Sequence, residues 1–98
     1  MISLEQANTI VTAAADKGRQ LGLKPLTVAV VDAGGHLIAF QRADGSPNLR
    51  PTIAIGKAAG AVGLGVSSRR VGELAVERPH FIAAISHLAP QGLVPVAD

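Results

Sequence analysis

The chain has 98 residues, 48% of them hydrophobic and 16% charged, which describes one small globular domain. Its formal charge is +2 and its pI near 9.7, but the basic residues are scattered apart from Arg69-Arg70 and no Trp or Tyr is present to stack a base, so no nucleic-acid partner is expected. With no cysteine, thiolate catalysis, disulfides and Cys-ligated zinc are excluded; with no apolar run of roughly 18 residues and no leader-like start at residues 1–5, a soluble cytoplasmic protein without membrane association is the expectation.

In chain order, Ser3 and Gln6 form an S-x-x-Q capping box that opens a first helix. Leu4, Ala7, Ile10, Val11, Ala14, Ala15 and Leu21 recur at helical spacing and predict one apolar face laid on a sheet. Gly18, unfavourable in a helix, is read as a close-packing position. Gly22 suits a left-handed cap, and Pro25 stops the helix.

Residues 26–41, LTVAVVDAGGHLIAFQ, are two apolar runs around Asp32-Ala33-Gly34-Gly35, the pattern of a β-hairpin with a four-residue loop. The first run is apolar at nearly every position, which predicts cover on both faces and a central place in the sheet. Gly34 and Gly35 are expected at positive φ, and Asp32 is expected to accept hydrogen bonds from the loop amides after it. His36 then opens the return strand. Residues 43–47, ADGSP, read as a turn.

Asn48 is expected to cap a second helix with Pro51 in its first turn. Gly56, Gly60 and Gly63 along PTIAIGKAAGAVGLG predict a face close to another backbone, in a soluble core or a subunit contact. Ser67 or Ser68 caps a third helix through Val71, Leu74 and Ala75, and Pro79 starts a further helical turn through Phe81, Ile82 and Ile85. Pro90 and Gly92 close it, and residues 93–96 are a candidate edge strand with Pro95 inside. With Phe40 and Phe81 as its only aromatics, the chain should build a thin core. Two firm strands and one doubtful one leave an open sheet edge, bare of proline and of lysine or arginine until Arg42, so a homo-oligomer is expected, as a dimer or a higher symmetric assembly.

The residues with chemistry to offer are few. His36, four positions after Asp32 across a tight loop, reads as an acid/base pair, a metal or haem-iron ligand, or a polar residue at a hairpin end. His80 and His87 would share a face if one helix spanned both. Lys57, amid apolar residues, reads as an anion-binding group or as a cation reaching solvent, the latter being expected. The common motifs of nucleotide, acyl-transfer and zinc-hydrolase chemistry are absent from the sequence, so the residues alone predict a soluble α/β domain with at most a small-ligand site.

The order SLEQA at residues 3–7, VAVVDAGGHLIAF, DGSP, a helix carrying Ala54, Lys57 and Ala58, and LVPV at residues 93–96 resembles the GlcG/HbpS-like haem-binding family across the whole chain. The resemblance implies an α/β (α+β), PAS/profilin-like fold, an antiparallel sheet with helices packed on it in the order α-β-β-α-α-(β), forming symmetric oligomers. It implies a single domain over residues 1–98 that stops before the family's final strands and helix. It also implies haem or a related tetrapyrrole as cofactor, in haem utilisation or redox sensing, with any catalysis belonging to haem degradation. On that reading His36 is the iron ligand, Asp32 its neighbour, Lys57 or Arg42 the propionate cation, and Phe40 or Phe81 the wall against the macrocycle. The competing reading is a structural or oligomerisation module with no ligand.

Overall fold

The computed structural model of the protein describes residues 1–88, so the expected closure at Pro90 and Gly92 and the expected strand over residues 93–96 lie outside the described residues. Those 88 residues form a mixed α/β structure with a two-stranded antiparallel sheet and four helices in the order α-β-β-α-α-α. The elements are α1 (Leu4–Gln20), β1 (Thr27–Val31), β2 (Leu37–Arg42), α2 (Arg50–Leu64), α3 (Ser68–Glu77) and α4 (Pro79–Ile85). Among the described residues no helix is long and apolar enough to cross a membrane.

The ends of α1 are closed by local chemistry. Ser3 Oγ accepts the Gln6 N–H at 3.1 Å while Gln6 Oε1 accepts the Ser3 N–H at 2.9 Å, the reciprocal pair predicted. At the other end Gly22 turns left-handed at φ 67°, and the Leu23 and Gly22 N–H groups donate to the Gly18 and Arg19 carbonyls, a Schellman closure. Ala7 and Val11 are buried on this helix and pack with Ala39, flanked by Ile2, Val28, Val30 and Ile38. The apolar face is narrower than its sequence spacing implies, because Leu4 and Ile10 stand 59% and 47% exposed. Gly18 is a close-packing position as expected: a Cβ there would lie 2.5 Å from Leu26 Cδ1.

β1 and β2 pair from Thr27↔Arg42 to Val31↔Leu37, with an irregularity at Val30/Val31 that leaves Ile38 as an extra residue on β2. Successive residues of a regular strand face opposite sides, whereas a bulge re-aims one of them. Ile38 and Ala39 therefore both reach the cluster under α1. α1 covers the Val28 and Val30 face, α2 lies towards Thr27 and Ala29, and β1 is half-buried along its length, so both of its faces are covered as predicted. Among the described residues β1 pairs with β2 alone, and the candidate third strand lies outside them.

α2 begins at Arg50 behind Leu49, not behind Asn48 as predicted, and no side chain caps it. An Asn48 cap would need the N–H of the second or third helical residue, and the third would be Pro51, which has none. Asn48 instead accepts from the Arg42 guanidinium at 3.4 Å. Ser67 caps α3 through the Arg70 N–H at 3.1 Å. α4 ends at Ile85, so His80 and His87 do not share a helix, and both are exposed. The core is thin, with Ala7, Val11, Ala39, Val71 and Ile82 as its buried apolar residues among those described.

The three glycines of α2 do not behave alike. Gly56 and Gly60 are buried, whereas Gly63 is exposed and a Cβ there would meet nothing within 4 Å. Gly63→Ala should raise stability by about 0.5–1 kcal/mol through helix propensity alone. Gly60→Leu should lower it by about 1–3 kcal/mol through overpacking. Urea melts of the two variants check the contrast, and a leucine side chain tolerated in place of Gly60 would contradict the close approach at that face.

Candidate functional site: the hairpin turn and the cleft beside it

The turn between the strands is built around one carboxylate oxygen. Asp32 Oδ1 accepts the Gly34 and His36 N–H groups, each at 2.9 Å. The backbone is closed by the Asp32 N–H on the His36 carbonyl at 2.8 Å and the Gly35 N–H on the Asp32 carbonyl at 2.9 Å. These loop donors thus have short-range partners, the use of Asp that the sequence predicted. Gly35 is left-handed at φ 81°, where a side chain would carry a penalty of about 1–2 kcal/mol.

Gly34 is a correction, since it does not take positive φ. Its missing side chain serves space instead: a Cβ there would lie 3.0 Å from both Nδ1 and Cε1 of His36. The imidazole rests over this glycine with Nδ1 3.4 Å from Asp32 Oδ1, and the His36 and Asp32 side chains are 76% and 28% exposed. The His36 N–H, followed by the Gly34 N–H and the His36 ring, holds the Asp32 carboxyl below its ordinary value, while partial burial opposes them.

A cleft of about 540 Å³ runs between β1 and α2. Its α2 wall is the stripe Arg50, Ile53, Ala54, Lys57, Ala58 and Ala61, and Thr27, Val28, Ala29 and Ser68 complete it. Lys57 is half-buried there, where exposure was expected. The turn leans on the same helix, for a Cβ at Gly35 would lie 3.6 Å from Ala59 Cβ. Phe40 pairs with Ala29 across the strands and so shares its face, 39% exposed.

The remaining predicted residues lie apart. Arg42 closes the other end of the sheet, opposite Thr27, about 20 Å along the strand from His36. Phe81, 37% exposed, is on α4, which packs on α3 and touches neither strand, and the Arg78 guanidinium lies 4.5 Å from its ring centre. Among the described residues no three His, Asp or Glu side chains are grouped to hold a metal ion. Sequence reading missed Arg50 and Ser68 in the cleft; the stripe from Arg50 to Ala61 at spacings of three and four was the available signal for the former, and nothing local marks the latter.

Over residues 2–97 the sequence matches the HbpS-like family, described as haem-degrading proteins. The chain belongs to the HbpS-like family. No curated protein matches it. This membership ties the HbpS-like chain to haem, and its residues can be tested against that group. A haem needs an iron donor, an apolar slot and cations for its propionates. His36 offers an accessible imidazole, Lys57 a cation in a largely aliphatic cleft, and Phe40 an aromatic face one strand away; the cleft volume lies within the roughly 300–1,000 Å³ of small-molecule sites. These are the donor types that haem uses, but His36 and Phe40 do not line the cleft that holds Lys57, and Phe81 lies apart on α4.

A carboxyl held below its unfolded value stabilises the fold above that value and ceases to do so as pH falls through the folded one. The HbpS-like chain should therefore lose stability below about pH 4, the ordinary aspartate range, more steeply than Asp32→Asn, whose amide oxygen can still accept the two turn amides. Acid unfolding followed by circular dichroism compares the two, and coincident curves would contradict the role of the charge.

Proposed function

We propose that the chain is an accessory protein that binds haem or a related tetrapyrrole, with His36 as the iron ligand. The observation that carries this reading is an accessible imidazole seated on a hydrogen-bonded turn, in a chain of a family described by haem. Bound iron would add Lewis-acid or redox chemistry, while the chain supplies binding and orientation. Lys57 is the cation for a propionate, preferred over Arg42 because it lines the cleft on α2, the helix that also meets the turn, whereas Arg42 stands at the far end of the sheet from His36. Phe40 supplies an aromatic face beside the cleft. Haem utilisation or redox sensing is the role that this chemistry serves, in the cytoplasm.

Titration of haem into the purified protein should give a Soret band distinct from that of free haem, lost in His36→Ala and weakened in Lys57→Ala. A spectrum like that of free haem in the unaltered protein would overturn the reading.

A second reading, self-association without a ligand, is favoured by one observation. Among the described residues only five apolar ones are buried while large ones such as Leu37, Phe40, Leu49 and Val76 are exposed, and both outer strand edges are unpaired. A second copy would supply burial that the described residues lack, as a dimer or higher symmetric assembly. Sedimentation equilibrium at micromolar concentration should then show an oligomer, and a monomer with a cooperative melt would remove this reading.

A further inference from the structure

The hairpin turn does more to His36 than display it. Two independent features act on the ring. Gly34, whose backbone needs no glycine for its φ, leaves the space that the imidazole occupies, since a Cβ would lie 3.0 Å from Nδ1 and Cε1. Asp32 Oδ1, fixed by the Gly34 and His36 amides, stands 3.4 Å from Nδ1. A neutral imidazole carries its proton on one nitrogen and a lone pair on the other, and its neighbours decide which. A lone pair on Nδ1 would face the carboxylate oxygen and be repelled, whereas an Nδ1–H would be attracted to it.

We infer that Asp32 and Gly34 together seat the His36 ring and place its proton on Nδ1, so that Nε2 is the basic atom His36 offers to a ligand. Asp32 is thus a positioning residue that acts through His36, in the manner by which carboxylates orient metal-binding histidines. That Nε2 meets iron rests on the haem reading proposed above; where the proton sits does not.

The test uses the ligand-free protein labelled with nitrogen-15, in long-range proton–nitrogen correlation spectra at a pH where imidazole is neutral. His36 signals are assigned by their loss in His36→Gln. The expected result is a pyrrole-type Nδ1 and a pyridine-type Nε2. In Asp32→Asn, which keeps an acceptor for the turn amides, the ratio of Nδ1–H to Nε2–H forms should fall by up to about fivefold, the bound set by two unit charges about 4 Å apart in water, since the neutral ring presents only a dipole to the carboxylate. Gly34→Ala should lower the same ratio with Asp32 intact. A ring protonated on Nε2 in the unaltered protein, or a ratio unmoved in Asp32→Asn, overturns the inference. The measurement on the unaltered protein stands even if a variant fails to fold. An Nδ1–H ring together with no Soret shift would leave the seat intact and remove the haem reading, so the two fail separately.

Discussion

A two-stranded hairpin does not hold itself in water, and the structure depends on the contact that α1 makes with it. Ala7 and Val11 are small enough for the helix to approach the sheet closely, and Gly18 lets Leu26 come within the space a methyl would need. The bulge on β2 then turns both Ile38 and Ala39 into this contact, so a short strand contributes two neighbouring side chains to one face. Fully burying a Val, Leu or Ile is worth about 1.5–3 kcal/mol, and among the described residues only Val11, Val71 and Ile82 are buried side chains of that size, so each contact carries a large share of the stability.

The same economy places the candidate site at the turn. One carboxylate oxygen orders the loop, and the residue it orders last is His36. Because Gly35 rests on Ala59, the turn is also registered against α2, the helix that carries Lys57 into the cleft. The turn that carries His36 and the helix that carries Lys57 are thus in contact, although Lys57 and Ala59, two residues apart, point to opposite sides of α2. Membership of the HbpS-like family supplies the link to haem. Arg42 and Phe81, equally eligible in the sequence, are carried elsewhere by the strand direction and by the packing of α4 on α3 alone.

What the sequence determined by itself was the local chemistry. The capping box at Ser3, the left-handed Gly22, the Ser67 cap and the Asx turn at Asp32 each depend on residues within a few positions of one another, so the chain order states them directly. The family was legible for the same reason, since VVDAGGH is a compact local motif. Tertiary structure decided what local rules leave open. Gly34 serves ring space rather than backbone angle, Asn48 serves Arg42 rather than a helix end, and Lys57 is half-buried rather than exposed. Leu4 and Ile10 match the helical period and still stand exposed, because the surface that α1 meets among the described residues is a two-stranded ribbon and covers only the stripe through Ala7, Val11 and Gly18. Periodicity states which side chains share a face of a helix; how much of that face is covered depends on the width of the partner, and only the packed structure sets that width.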